Sequence, residues 1–434
     1  MQIVNWQNLD PIEQRRILSR TQLQDNHELS ILVKTIIENV RQNGDSALYE
    51  YLAKYDGVKL NSLLVNQEEY ATTTTLSMEA QQAILAAIDN ISAYHQSTIP
   101  QSFNLEHKHR KLGKIYRPIE KVGLYVPGGT APLVSTLLML AVPANLAGCQ
   151  EKILVTPPNR DGTVSPAILF AAKACGIEQV YKLGGASAIA ALAFGSESIP
   201  KTYKIFGPGN KYVTEAKLQV SQHCNGAAID MPAGPSEVLV IADKDANPAF
   251  VASDLLAQAE HDSAAQVILV TTCLNLAKQV KQQLHQQSQQ LSRNHIIQQA
   301  LVKSTIIYTP DLATAFSISN QYAPEHLILQ IANAETYLSM VHNAGSVFIG
   351  EWTPEAVGDY ASGTNHVLPT YGYAKMYSGL DVSSFMKGIS YQQLSAQGLQ
   401  EIGATVECLA SLEGLDAHRN AVSLRLAELK NKKF

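Results

Sequence analysis

ILVTPPNRDGTVSPAILFAAKACGIEQVYK, residues 153–182, reads as a strand over 153–156, a helical stretch near 166–175 and a second strand over 179–182. The same alternation extends outward on both sides. Strands are expected at 122–126 and 204–206, with helical stretches near 133–147 and 186–193 between them. After Ser236 the pattern resumes with a strand at 238–242, a helix at 249–259, a strand at 267–271, a helix at 274–287, and strands near Ile306 and Val347. Strands alternating with helices predict largely parallel sheets with helices on their faces, an α/β fold. Toward the N-terminus the pattern turns helical. Asp10-Pro11-Ile12-Glu13 places a capping Asp, a first-turn Pro and a Glu three residues after the cap. Ile31, Leu32, Ile36, Ile37 and Val40 recur at helical spacing until Asn43-Gly44, and a third helix is expected over 78–94. The C-terminal tail also reads as mostly helical.

Composition narrows the function classes. The chain has 434 residues, and its charged fraction of 16% is well below the usual ~25%. With 46% apolar residues it should bury much of its surface, in part between subunits. A net charge of −5 without long runs of either sign excludes a basic nucleic-acid groove and a polybasic membrane anchor. The apolar stretch 131–148, interrupted by Ser135, Thr136, Pro143 and Asn145, reads as a buried helix and not a membrane span. Five isolated cysteines without a C-x-x-C pair support neither a disulfide framework nor a thiolate zinc site. The opening MQIVNWQNLDPIEQRR lacks the basic start and apolar core of a secretion signal, so a cytoplasmic location is expected.

Several segments carry candidate chemistry. Glycine-rich turns stand at three expected strand ends: Pro127-Gly128-Gly129, Gly184-Gly185-Ala186-Ser187 and Gly207-Pro208-Gly209-Asn210. Such turns bind nucleotides in open α/β sheets, although none fits G-x-G-x-x-G. Asp230-Met231-Pro232-Ala233-Gly234-Pro235-Ser236 fits either a stiff hinge or a direct ligand contact. Gln258 and His261, three apart near a helix end, project from one face; a capped helix end fits them equally. Pro324-Glu325-His326 presents an acid and an imidazole side by side, suited to two proton tasks. Adjacent strand residues point to opposite faces, so both reach one pocket only if the backbone turns there. Asp359 and His366 bracket a polar, glycine-flanked loop, and Glu413 and His418 lie near the start of the last helix. Oxygen and nitrogen donors without sulfur suit zinc in an open setting.

VGLYVPGG (122–129), FGPGN (206–210), DMPAGPSEVLVIAD (230–243), QAEH (258–261), PEHL (324–327) and GDYASGTNHVLPT (358–370) together resemble the histidinol dehydrogenase family. The likeness runs from the N-terminal helices to the last one. It implies oxidation of L-histidinol through histidinal to L-histidine with two NAD+ and one zinc per subunit. It implies Gln258, His261, Asp359 and His418 as zinc ligands, and His326 as general base with Glu325 beside it activating water. Substrate contacts would come from Ser236, Glu413, His326, His366 and the zinc ligands, and NAD contacts from Tyr125 and Asn210. A third NAD position, often Gln in this family, is Ser187 here, which cannot reach as far.

The resemblance also implies two incomplete Rossmann-like domains with mainly parallel sheets, N-terminal helices and a mostly helical tail. In this division, 1–25 is an N-terminal helical segment and 121–235 binds NAD. Residues 26–120 plus 236–380 form a larger, discontinuous domain with most of the zinc and catalytic site. The tail, 381–434, completes the site of the partner in an intertwined homodimer, so Glu413 and His418 act in trans. Two rival classes are a zinc hydrolase, for which no H-E-x-x-H is present and the glycine turns would serve no purpose, and a non-catalytic binding paralogue, which would lose ligands although every ligand position is filled here.

Overall fold

The computed structural model describes residues 1–20, 27–128, 132–232 and 234–431. Gly129 of the first glycine turn and Ala233 lie outside the described residues. Chain contacts divide the protein into two units, one of Met1–Thr98 with Ile119–Phe385, the other of Ile99–Pro118 with the chain from Met386 on.

The first unit is built on two parallel sheets. One has five strands in the order Gln179–Lys182, Glu151–Thr156, Lys121–Tyr125, Lys204–Phe206, Ala228–Ile229. The chain runs outward to one edge, then returns to the centre and continues to the other, which creates a crevice at the reversal point. The second sheet has six strands in the order Gln2–Asn5, Thr305–Tyr308, Gln266–Thr271, Glu237–Ala242, His326–Gln330, Ser346–Ile349, also all parallel. Its central strands are covered on both faces, which is why Glu237–Ala242 and Gln266–Thr271 are buried at every position. The expected strands and connecting helices of both sheets are present with end shifts of one to two residues.

Helix Val134–Ala147 is buried on nearly all sides and runs through Pro143 without stopping. Pro in a helix interior costs about 3 kcal/mol, and packing on every face offsets that. Asp10 forms the anticipated capping box with Glu13 on helix Pro11–Leu18. The helix from His27 to Tyr51 breaks its geometry at Gly44 (φ 50°), as Asn43-Gly44 suggested.

Two groupings differ from the sequence expectation. Segment 1–25 is not purely helical: Gln2–Asn5 is an edge strand of the six-stranded sheet, paired with Thr305–Tyr308. The helices within 26–120 pack largely on the five-stranded side; helix Met78–Gln96 also reaches into 236–380, where Asn90 donates to the Ala361 carbonyl and Asn365 contacts His95. Val33, Ile37, Val40 and Leu48 share a core with Tyr125, Ile153 and Ile189. Helical periodicity identifies an apolar stripe but does not say which sheet receives it.

The second unit holds an antiparallel sheet, Met386–Leu394 beside Arg110–Pro118 beside Phe103–His107. The tail therefore begins with a strand before its two helices, Ala396–Leu412 and Asp416–Asn431, which turn at Gly414 (φ 69°). Glu407 accepts a hydrogen bond from Ser423 across this pair, while Leu412 and Leu424 remain 78% and 63% exposed.

Candidate active site

The six-stranded sheet places its reactive groups at the amino ends of its strands. His326 opens the strand His326–Gln330 and stands in register with Val238, one residue after Glu237 begins the neighbouring strand. Glu325 precedes the strand, and Ala323 before it adopts a left-handed backbone (φ 54°). Because Glu325 lies outside the pleat, strand alternation does not apply to it, and its carboxylate comes within 3.6 Å of His326 Nδ1. The adjacent pair thus shares one buried pocket.

One residue holds both. The Glu237 N–H donates to Glu325 Oε2 (2.8 Å), and its carbonyl lies 3.2 Å from His326 Nδ1. A carbonyl only accepts, so Nδ1 carries a proton whether the ring is neutral or charged, and Nε2 is the nitrogen that gains or loses one. That Nε2 is buried, makes no hydrogen bond and sits 3.5 Å from Asp359 Oδ1. The Glu237 carboxylate is itself paired with Arg20 (2.5 and 2.8 Å) and accepts from Tyr371 N (2.9 Å). Arg20 also donates to the carbonyls of Tyr322 and Ala323, next to the left-handed turn.

Glu355 completes the cluster. It lies on helix Glu355–Tyr360 four residues before Asp359, is 1% exposed, and reaches to 3.9 Å from His326 Nδ1. Gln258, buried at the end of helix Pro248–Ala259, bridges the Glu355 carboxylate and the Glu237 N–H (3.0 Å to the latter). Donor atoms of His326, Glu355 and Asp359 all lie within 4.8 Å of one another.

Carboxylates outnumber cations in this pocket, and the protonation equilibria respond. Burial pushes the Glu325 carboxyl up to about 8 and holds Glu355 well above the ordinary carboxylate value. Burial raises Asp359 too, but the neighbouring His326 outweighs it and leaves Asp359 below its ordinary value. For His326 burial is outweighed by Glu355, Glu325 and Asp359, which keep the imidazole charged well above its usual range.

His261 sits just past the end of Gln258's helix, exposed, and its ring nitrogens make no hydrogen bond among the described residues. His366 is engaged at both nitrogens: Nδ1 with the Asp359 carbonyl (2.8 Å) and Nε2 with Thr136 Oγ1 (3.3 Å). It fixes the Asp359 loop against helix Val134–Ala147. Ser236 is partly buried and lends its carbonyl to Gln266 N. Glu413 caps helix Ala396–Leu412 and His418 lies on the last helix; both are exposed in the second unit.

The five-stranded sheet carries a cleft of about 910 Å³ at the carboxyl ends of its strands. Tyr125, Gly185, Ser187 and Asn210 line it. The Gly185 N–H donates to Tyr125 Oη (3.2 Å), and burial pushes that phenol up to about 12. Ser187 Oγ donates to Gly184 O (3.0 Å), turned inward along its own helix. Asn210 caps the helix Lys211–Gln222 through Tyr212 N and Val213 N. Gly207 (φ 125°) passes so close to Tyr125 that an added Cβ would lie 2.1 Å from its carbonyl oxygen. Asp230 accepts from Gly207 N (2.8 Å) and forms a buried ion pair with Lys217. The segment from Asp230 is therefore a structural staple for the FGPGN turn.

Glu237 and Glu355 were not singled out from sequence. Glu237 opens the otherwise apolar run EVLVIA, where a buried charge requires a partner. Glu355 precedes Asp359 by one helical turn, on the same face.

Comparisons with known proteins agree over the whole chain. A family model described as histidinol dehydrogenase matches residues 19–426. A histidinol dehydrogenase of Pectobacterium atrosepticum is 50% identical over 430 residues, covering 99% of this chain and 96% of the relative. That of Salmonella typhimurium is 49% identical, covering 99% and 98%. A crystal structure of histidinol dehydrogenase from Elizabethkingia anophelis superposes with a TM-score of 0.95 at 46% identity, covering 99% of both chains.

Proposed function

The chain belongs to the histidinol dehydrogenase family, and on that premise we propose that it oxidises L-histidinol to L-histidine through bound L-histidinal, with one zinc per subunit and two NAD+ reduced. Membership makes it an oxidoreductase of histidine biosynthesis. The observation that carries the finer reading is the unpartnered Nε2 of His326, buried beside Glu325 and Asp359.

The donor set fits zinc. A pocket with an excess of buried carboxylates is built to receive positive charge, and its nitrogen and oxygen donors without sulfur suit an open zinc site. Gln258, His261 and Asp359 would hold the ion, joined by His418 of the partner subunit's tail. When bound, zinc supplies a chelation point for the substrate's imidazole and amino nitrogens, and NAD+ supplies the hydride acceptor.

The chain's own residues then divide two proton tasks. His326, with Nδ1–H held on the Glu237 carbonyl, takes the alcohol proton at Nε2 from its neutral form, which a cation held beside Asp359 would favour by offsetting the surrounding carboxylates. Glu325, held by the Glu237 N–H, takes in its ionised form a proton from the water that adds to the aldehyde, and the burial that pushes its carboxyl up to about 8 makes that carboxylate a stronger base. His326 assists again as the hydrate is oxidised. Ser236, His366 and the partner's Glu413 surround the substrate, with His366 acting through the Asp359 loop. Tyr125, Ser187 and Asn210 belong to the NAD cleft, where the amino end of helix Gly185–Phe194 suits a pyrophosphate. Exposed Leu412 and Leu424 support burial of the tail in an intertwined homodimer. Among the described residues no helix is long and apolar enough to cross a membrane, in keeping with a cytoplasmic enzyme.

The test is to mix the protein with histidinol and NAD+ and follow nicotinamide absorbance. Two NADH per histidinol are expected, with turnover abolished by a chelator and restored by zinc. Absence of NADH formation sinks the reading; full turnover in verified metal-free protein removes zinc from it.

A further inference from the structure

We propose that Asp56 selects the cofactor, its carboxylate accepting hydrogen bonds from the adenosine ribose hydroxyls of NAD and repelling the 2′-phosphate of NADP. The proposal rests on the reading of the large cleft as the NAD site. Asp56 ends the helical turn Leu52–Asp56, just before Gly57 releases the chain in a left-handed conformation (φ 70°). It lines the cleft, where the only other charged residue among the described residues is Arg160. Its carboxylate is partly buried and has no hydrogen bond or ion pair among the described residues, and burial alone raises its pKa. A carboxylate held out of water without a partner carries an uncompensated cost, and a pair of ribose hydroxyls relieves it by donating to both oxygens.

The orientation of the cleft places the adenosine at this end. Pro132 and Leu133 line the cleft and come immediately before helix Val134–Ala147, whose Thr136 contacts His366 and through it Asp359. The nicotinamide must face them to reach the alcohol carbon. The amino end of the helix at Gly185 takes the pyrophosphate between the two halves. Leu32, Tyr51 and Tyr55 give the cleft an apolar and aromatic wall, with the two tyrosine rings stacked at 5.8 Å. That wall fits an adenine, and Asp56 follows Tyr55 directly. An acidic side chain on the ribose hydroxyls is the general device by which α/β dinucleotide folds prefer NAD.

The experiment compares kcat/KM for NAD+ and NADP+ in the zinc-loaded wild type, Asp56→Asn and Asp56→Glu, with histidinol saturating. In Asp56→Asn the loss of charge-assisted bonds should lower the NAD+ value about ten- to hundredfold and raise the NADP+ value, collapsing the preference. Asp56→Glu, which restores the charge, should recover part of it. An unchanged NAD+/NADP+ ratio in Asp56→Asn, or an equal loss with both cofactors, overturns the proposal. If the wild type reduces neither cofactor, the reading of the cleft itself falls, a result distinct from the first two.

Discussion

The two parallel sheets of the first unit are used from opposite ends. On the five-stranded sheet the cleft lies at the carboxyl ends of the strands, where helices such as Gly185–Phe194 begin. On the six-stranded sheet the reactive cluster lies at the amino ends, where helices Pro248–Ala259 and Leu312–Tyr322 finish. Helix starts carry partial positive charge and unpaired N–H groups; helix ends carry partial negative charge and unpaired carbonyls. The first edge therefore favours an anionic dinucleotide, and the second, with Glu325, Glu355 and Asp359 added, favours a cation. Among the described residues the cleft holds a single carboxylate and a single guanidinium, whereas the cluster is dense in buried ionisable groups. One edge is shaped for selection by fit; the other is suited to proton transfer by its displaced protonation equilibria.

Substitutions at the charged edge should therefore strike chemistry, with the largest loss at His326. A positioned general base contributes about 10²–10⁴-fold, so His326→Ala should slow oxidation of both histidinol and added histidinal by that factor. A loss confined to one substrate would assign the other proton transfer elsewhere. Glu325→Gln comes next and should be selective, since it keeps the shape and the hydrogen bond from Glu237 N but removes the water activator. Single-turnover traces should show one rapid NADH per site followed by a slow phase. Equal slowing of both phases would make Glu325 a residue that tunes His326, and the water role would be dropped.

Much of this arrangement was readable in the residues. Strand and helix alternation over 153–182 fixes the parallel sheets, because a period of two giving way to 3.6 is a local signal. The choice of sheet edge is not local. Gln258 and His261 mark a helix end in the sequence, yet only the return of the chain into Gln266–Thr271 brings that end beside Glu237 and His326. Glu325 and His326 looked incompatible with one pocket under strand alternation; the left-handed Ala323 turn resolves it, and no sequence rule flags alanine for such a conformation. The antiparallel sheet of the second unit escaped notice because Phe103–His107 is exposed at every position and Met386–Leu394 nearly so. Without a buried face there is no apolar alternation to read. Ser187 and His366, for which the resemblance implies ligand contacts, also hydrogen-bond within the chain, to Gly184 and to Thr136 and Asp359, and no sequence spacing reveals those bonds.

The smallest expected effect tests whether the charge imbalance extends beneath the reactive cluster. Asp254 lies one helical turn before Gln258, is 4% exposed, and accepts one hydrogen bond from Gln330 (3.3 Å). Burial pushes its carboxyl up to about 7. In the unfolded chain it titrates near the ordinary ~3.9, so between these values the folded state holds a proton that the unfolded state has released. The sign follows directly: ionisation costs the folded state nothing at low pH, and the penalty grows as pH rises from about 4 to about 7, then levels off. Asp254→Asn cannot ionise and keeps a hydrogen-bonding side chain of similar shape. Its melting temperature should therefore exceed that of the wild type by a few degrees at pH 8, with the gain shrinking toward pH 5. A rise from about 4 to about 7 sets an upper limit of about 4 kcal/mol, which for a chain of this size is a few degrees. Calorimetric scans of the zinc-loaded proteins across that pH range decide it. A difference that stays constant with pH would mean that Asp254 remains ionised when folded, and the excess of buried negative charge would then end at Glu355.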